Sequence, residues 1–181
     1  MQSSIEEKRE SICQTLKQLE SRETLSQEDY ELLRTWAANS NSEIRTLIVG
    51  FLAQRTEQSV GELLLTLSRD PDPAVRAYAL DVLCNFPGEK CSERLRQAAE
   101  TEPDAAARFC AIRSLADGMA ETEPSEALAY AQALFRRETE ELCRLGCCYG
   151  RYLYGDHRAL NDILRQLAAN RAELRANALL I

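Results

Sequence analysis

The segment Asp70–Leu83, DPDPAVRAYALDVL, joins a proline-rich turn to an amphipathic helix. Its prolines break any helix that precedes them, and the Asp72 carboxylate stands where it can cap the next helix. Apolar residues then recur at the three- to four-residue spacing of one helical face, for example Val75 and Ala79. Arg76 directly follows the first of these apolar residues. The segment therefore predicts a loop and a helix with one buried face.

This pattern occurs five times along the chain. An arginine follows an apolar residue at Arg45, Arg76, Arg108, Arg144 and Arg175, with spacings of 31, 32, 36 and 31 residues. Small or aliphatic residues stand one turn later: Ile48 and Val49, Ala79 and Leu80, Ala111 and Ile112, Cys147 and Cys148, Ala178 and Leu179. Units of this length cannot bury an apolar face alone, so the repeat predicts a stack of helical units.

A second amphipathic segment precedes each arginine helix. These segments are Gln27–Ala38, SVGELLLTL at 59–67, Gly88–Glu100, Ser125–Arg136 and His157–Ala169. The short loops between them carry Pro, Gly, Asp and Asn, which predicts antiparallel helix pairs. Residues 1–22 predict an N-terminal capping helix whose Ile12, Leu16 and Leu19 lie on one face.

The alternation of two helices, with a loop Asp followed by Val-Arg and then Ala and Leu, resembles the HEAT-repeat family in its short bacterial form. The best copy is DPDPAVRAYALDVL, and the resemblance covers Gln27–Ile181. It implies an all-α, right-handed α-α superhelix, an armadillo-type α-solenoid. About five helix pairs would occupy 26–181, in one domain that spans 1–181 with the capping helix.

In this family, arginine and carboxylate side chains form ladders along the stack. The resemblance therefore implies a role for the residue four positions before each repeat arginine. We expect a carboxylate there to cap its helix and also to accept hydrogen bonds from an arginine. The five residues are Asn41, Asp72, Asp104, Glu140 and Arg171.

The charge is acidic overall and uneven along the chain. The net charge is -7 and the pI is about 4.9. Residues 136–175 hold eight Arg and six Asp or Glu, a net +2, whereas the remainder holds 14 basic and 23 acidic residues, a net -9. Nucleic-acid modules usually need a basic surface, so this balance argues against nucleic acid and favours a basic protein partner.

The seven cysteines do not indicate a disulfide framework, because a chain of this length can build its own core. The N-terminal segment is charged, and no apolar run is long enough to span a membrane. We therefore expect a reduced, cytoplasmic protein that does not bind membranes.

No catalytic or metal-binding motif is present in the sequence. Cys143 and Cys147 are four residues apart, but no Cys-x-x-Cys pair accompanies them, and His157 is the only histidine. Structural zinc sites usually combine two closely spaced ligand pairs. The sequence therefore predicts no enzyme activity, no metal and no cofactor, with Cys147 and Cys148 as small core residues.

The candidate binding residues lie opposite the buried stripe of the arginine helices, which line the concave side of such a stack. They are Tyr78, Asp81, Phe109, Arg113 and Tyr149. Aromatic residues and Arg are typical anchors of protein interfaces, so we predict a scaffold or adaptor that binds a protein there. The alternative for these residues is packing between neighbouring repeats.

Three further alternatives stay open. HEAT-like folds include alkylpurine glycosylases and bilin lyases, so handling of nucleic acid or a small molecule is the second functional hypothesis. An arginine series spaced by sevens could form an anion patch, although a solvated surface is the simpler interpretation: Arg137, Arg144, Arg151, Arg158 and Arg165. The apolar end, Ala178–Ile181, is compatible with a monomer or with a dimer through the C-terminal repeat.

Overall fold

The computed structural model describes residues 2–86, 88–119, 123–168, 172 and 176–177. In these residues it contains ten α-helices, one 3-10 turn at Leu83–Asn85 and no strand. The helices are α1 (Gln2–Glu20), α2 (Gln27–Ala37), α3 (Ser42–Leu52), α4 (Gln58–Leu67), α5 (Pro73–Val82), α6 (Glu89–Thr101), α7 (Ala105–Gly118), α8 (Pro124–Arg137), α9 (Glu141–Leu153) and α10 (Ala159–Leu167). The predicted all-α fold is confirmed.

Several helix starts follow directly from local sequence. Ser26 forms a capping box before α2: its hydroxyl accepts from the Asp29 backbone N–H at 3.2 Å, and the Asp29 carboxylate accepts from the Ser26 N–H at 2.9 Å. Asn41 and Asp104 cap α3 and α7 through their side-chain oxygens. Pro124 stands in the first turn of α8, where its missing N–H costs nothing.

The chain divides into two compact units, Met1–Ala79 and Leu80–Ile181, and the division falls within α5. In the first unit, α3 packs against α1, α2 and α4, and α2 also contacts α4. Its core side chains are almost fully buried: Leu33, Ile44, Ile48, Val49, Leu52, Val60, Leu64 and Leu67. The apolar face of α1 is also buried as predicted, through Ile12, Leu16 and Leu19.

In the second unit, α7 packs against α6 and α9, and α9 packs against α8 and α10. The predicted stripe of the arginine helices forms this core, including Ala111, Ile112, Cys147 and Cys148. Helices that pack against their neighbours in this order are typical of an α-solenoid, and that part of the prediction is confirmed. The right-handed superhelix and the single domain over 1–181 stay predictions.

Two glycines allow α9 to lie close to its neighbours. A Cβ atom on Gly146 would lie 3.2 Å from side-chain atoms of both Ile112 and Phe109. A Cβ on Gly150 would lie 3.3 Å from that of Ala116. Such distances are shorter than ordinary packing allows, so the spacing between α7 and α9 depends on these glycines.

The fifth repeat is described only through its first helix, α10. The predicted arginine helix around Arg175, with Leu174, Ala178 and Leu179, lies outside the described residues, and so does the apolar end at 178–181.

Candidate functional site

The repeat arginines make a common set of hydrogen bonds. The four that the structure describes direct Nη1 to backbone carbonyls of the loop that precedes their own helix, at distances between 2.5 and 3.4 Å. The acceptors are Asn39 and Ser40 for Arg45, Asp70 and Pro71 for Arg76, Glu102 and Pro103 for Arg108, and Glu138 for Arg144. The arginine therefore fixes the turn within its own repeat.

The opposite edge of the guanidinium holds a carboxylate from the next repeat. Arg45 donates from Nε and Nη2 to Asp70 at 2.6 and 2.7 Å, and Arg108 donates from the same atoms to Glu138 at 2.8 and 3.4 Å. The Arg45 and Asp70 side chains are only 9% and 4% exposed. These bidentate pairs connect consecutive repeats within each unit.

The ladder carboxylate also shapes its own loop. Asp70 accepts the Asp72 N–H at 2.8 Å, and Glu138 accepts those of Thr139 and Glu140 at 2.8 and 2.9 Å. Burial opposes ionisation of Glu138, but the hydrogen bonds from Arg108 and the backbone outweigh it and hold the pKa of this carboxyl below its usual range. Glu138 is therefore ionised at neutral pH.

The ladder corrects one expectation from the sequence. At the position four before the arginine, Asp72 accepts from the Ala74 N–H and Asp104 from the Ala107 N–H, both at 2.9 Å, as expected. The expectation is wrong for Glu140, whose side chain makes no capping hydrogen bond to α9. The carboxylates that Arg45 and Arg108 hold, however, lie six residues before the next repeat arginine. The sequence does contain this second polar position: the residues six before the arginines are Asn39, Asp70, Glu102 and Glu138.

A groove of about 620 Å³ lies in the first unit between α1 and α3, and Tyr78 of α5 borders it. Leu16 and Phe51 form part of its apolar floor, while charged side chains of both signs stand at its sides. The α1 wall consists of Arg9, Cys13, Leu16, Lys17 and Glu20, and the other wall consists of Glu43, Thr46, Leu47, Gly50 and Phe51 of α3 with Gln54 of the turn that follows. On each helix these residues follow a three- to four-residue spacing, so the groove runs along both helices.

Gly50 and Tyr78 shape one side of this groove, which we call the α1–α3 groove. A Cβ atom on Gly50 would lie 3.4 Å from the Tyr78 hydroxyl oxygen, so the glycine leaves room for the ring. Tyr78 is 37% exposed, which is unusual for a large apolar side chain in this protein. It is the one predicted binding residue in the first unit, and it offers a free aromatic surface.

The other predicted binding residues lie in the second unit and are engaged with their own unit. Arg113 forms an ion pair with Asp81, and Tyr149 donates its hydroxyl hydrogen to Asp117. Burial, together with this bond to Asp117, raises the pKa of Tyr149 to about 12. A partner at this surface would meet a polar network that is already formed.

Phe109 occupies a different environment. Its side chain is 4% exposed and lies against the α9 backbone at Gly146. A buried ring cannot contact a partner, so packing between helices, the alternative in the sequence analysis, describes Phe109. The sequence pattern places Phe109 and Tyr78 at nearly equivalent positions and does not by itself distinguish a buried ring from an exposed one.

Comparison with known protein families agrees with the helical repeat described above. Residues 61–150 match the family model of HEAT repeats. This part of the chain belongs to the HEAT-repeat family. HEAT repeats commonly serve as protein-interaction scaffolds. No curated protein matches the chain.

The HEAT match contains Arg76, Arg108 and Arg144, and the structure supports a longer array. Arg45, which precedes the matched segment, makes the same two sets of hydrogen bonds as Arg108. The family resemblance inferred from the sequence is confirmed for 61–150, and the ladder geometry extends the repeat pattern to α3. Its extension to Ile181 stays a prediction.

The cysteines of α9 belong to the HEAT core. Cys143, Cys147 and Cys148 are buried, and burial raises the pKa of the first two to about 12 and of Cys148 to about 11. Among the described residues, no group of three or more His, Cys, Asp or Glu side chains is arranged to hold a metal ion. None of the described helices combines the length and the apolarity that crossing a bilayer requires.

The arginine series spaced by sevens does not form one face. Tyr154 and Gly155 separate α9 from α10, as the sequence indicated. Arg151 pairs with Asp156 at 2.7 Å and Arg165 with Asp162 at 3.0 Å, while Arg137 lies 3.6 Å from Glu100. The charges of these three arginines are therefore balanced locally.

Proposed function

We propose that this HEAT-repeat protein is a non-enzymatic scaffold or adaptor that binds a protein partner in the α1–α3 groove. The observation that carries the proposal is the groove itself, with its apolar floor and the exposed ring of Tyr78. Exposed aromatic side chains beside apolar depressions are typical anchors of protein interfaces.

The dimensions of the groove suit a helical or extended peptide segment. Its two walls follow α1 over Arg9–Glu20 and α3 with the turn after it over Glu43–Gln54, about three turns of each helix. A segment that lies along both walls could bury apolar side chains on Leu47 and stack on Tyr78. This is the helix-in-groove type of peptide recognition.

The chemistry of the partner follows from charge. The net charge of -7 speeds encounter with a basic protein and makes the encounter sensitive to salt. The groove itself carries Arg9 and Lys17 as well as Glu20 and Glu43, so it does not require one sign of charge at the contact. We therefore expect charge to govern the association rate and apolar contact to govern the affinity.

The proposal is tested by replacing Tyr78 and comparing it with a matched residue. Tyr152 is 39% exposed, close to the 37% of Tyr78, and it lies on α9. We expect Tyr78→Ala to weaken capture of a partner from native extract by about tenfold or more, as loss of an interface anchor does, and Tyr152→Ala to leave capture unchanged. Quantitative mass spectrometry of co-purified proteins measures both.

Equal recovery of every partner by wild type and a folded Tyr78→Ala variant would contradict the proposal. Phe109 is unsuitable for such a test, because its ring is buried and its removal would leave a cavity in the core.

A further inference from the structure

Arg144 uses only one edge of its guanidinium within the described residues. Its Nη1 donates to the carbonyl oxygens of Phe135 and Glu138 at 3.1 and 3.0 Å. Its Nε and Nη2 atoms have no hydrogen-bond partner in the part of the chain that the structure describes. In Arg45 and Arg108 that same pair of atoms holds a carboxylate.

The sequence explains this difference. Asp70 and Glu138, the ladder carboxylates, lie six residues before Arg76 and Arg144. The residue six before Arg175 is Ala169, which has no carboxylate. The sequence position that supplies the ladder carboxylate in the earlier repeats therefore holds no acid after Arg144.

The Arg144 guanidinium is nevertheless held in place. The two carbonyl hydrogen bonds fix Nη1, and Cζ lies 3.9 Å from the centroid of the Phe135 ring. Arg151 lies near the same ring, with its Cζ at 4.5 Å from the centroid. Because the planar fork is already positioned, a carboxylate that binds it loses little additional side-chain entropy.

The sequence around Arg144 carries a small excess of positive charge. Residues 136–175 carry a net +2 in a chain whose other residues carry -9. Arg136, at the end of α8, is exposed and adds to this excess. Glu138, the nearest ladder carboxylate, is already bound to Arg108. This segment therefore has a small positive excess within an acidic protein, although Glu140 and Glu141 lie about one turn before Arg144.

We propose that Arg144 is a carboxylate-binding site that receives an aspartate or glutamate side chain of the partner protein. This inference rests on the proposed scaffold function, since a protein partner supplies the carboxylate. The partner's carboxylate binds Nε and Nη2 in the bidentate arrangement of Asp70 on Arg45. The partner's carboxylate thereby forms one more arginine–carboxylate pair of the ladder.

Acetate provides a probe of this site that does not require the partner. Nitrogen–proton NMR spectra of the arginine Nε–H groups are recorded during titration with sodium acetate and, separately, with sodium chloride at equal ionic strength. We expect the Arg144 signal, identified by its loss in Arg144→Lys, to shift saturably with acetate only. The exposed Arg136 serves as the matched control and should show no saturable shift.

An Arg144 signal that moves no more than that of Arg136 overturns the carboxylate site. This outcome says nothing against the α1–α3 groove, because acetate does not test it. Conversely, loss of partner capture in Tyr78→Ala does not affect the acetate result, so failures of the two proposals are distinguishable.

Two further measurements connect the site to the partner. Once a partner is captured, Arg144→Gln should weaken its binding by about tenfold or more, the size of effect that follows from losing a hydrogen bond to a charged group. Unchanged affinity overturns the proposal. Sedimentation velocity should show that wild type and Arg144→Gln behave alike at all concentrations. Self-association of wild type that disappears in Arg144→Gln would assign the carboxylate to a second copy of this chain and overturn the choice of a different protein.

Discussion

Arg45 and Arg108 each use two edges of one guanidinium for two kinds of acceptor. Nη1 fixes the loop of its own repeat, and Nε with Nη2 binds a carboxylate of the next one in the pairs Arg45–Asp70 and Arg108–Glu138. Because the guanidinium is planar and carries five donors, it can satisfy both sets at once. A lysine could not, since its ammonium group lacks the two separate edges.

Because Arg45 binds a carboxylate as well as carbonyl groups, we expect Arg→Gln to lower the free energy of unfolding more at position 45 than at position 144. Arg45→Gln leaves the Asp70 carboxylate, only 4% exposed, without its cation, so the free energy of unfolding should fall by about 3–5 kcal/mol. Arg144→Gln strands no carboxylate of the described residues and loses two carbonyl hydrogen bonds, so the loss should be about 1–2 kcal/mol. Urea denaturation followed by circular dichroism measures both. Equal losses would show that the ladder carboxylate contributes nothing to the difference.

At the scale of the helix, the second unit depends on close approach between α7 and α9. A Cβ atom on Gly146 would lie 3.2 Å from Ile112 and Phe109, and one on Gly150 would lie 3.3 Å from Ala116, so a side chain at either position would require its neighbours to shift. Glycine normally weakens a helix relative to alanine by about 1 kcal/mol. Tight packing is the physical reason that these helical positions nevertheless hold glycine.

Gly146→Ala should therefore destabilise the protein although alanine is the better helix former. The added Cβ lies 3.2 Å from Ile112 and Phe109, and overpacking of this kind costs about 1–3 kcal/mol, more than the gain in helix propensity. Gly118, on α7, has no atom within 4 Å of its added Cβ, so Gly118→Ala should be neutral or stabilising by up to about 1 kcal/mol. Thermal unfolding of the two variants compares them. A higher melting temperature for Gly146→Ala would contradict the packing argument.

The helices themselves could be predicted from the sequence almost to the residue. The spacing of the repeat arginines gave the register, and the caps and prolines gave the helix starts. The carboxylate that binds the arginine was not predicted, because polar residues occur both six and four positions before the next repeat arginine. Only the three-dimensional contacts show that the residue six positions before it is the partner. The environment of Phe109 was undecided for a similar reason, since burial depends on how α7 and α9 pack.

At the scale of the whole protein, residues 61–150 match HEAT repeats, and we propose a binding function for the chain. The first unit offers a groove with an apolar floor and an exposed tyrosine. The second unit offers Arg144, whose Nε and Nη2 atoms have no hydrogen-bond partner among the described residues. Each feature suits a different part of a protein ligand, an apolar segment in one case and a carboxylate in the other.

Site-specific photo-crosslinking tests the central claim, binding in the α1–α3 groove, most directly. A benzophenone side chain replaces Leu47, which lines the groove, or Leu160, which is 39% exposed on α10 and serves as the control. After illumination in native extract, we expect position 47 to form a covalent adduct with the partner. The additional Tyr78→Ala substitution should abolish this adduct. An adduct that forms from position 160 but not from position 47 would contradict the claim.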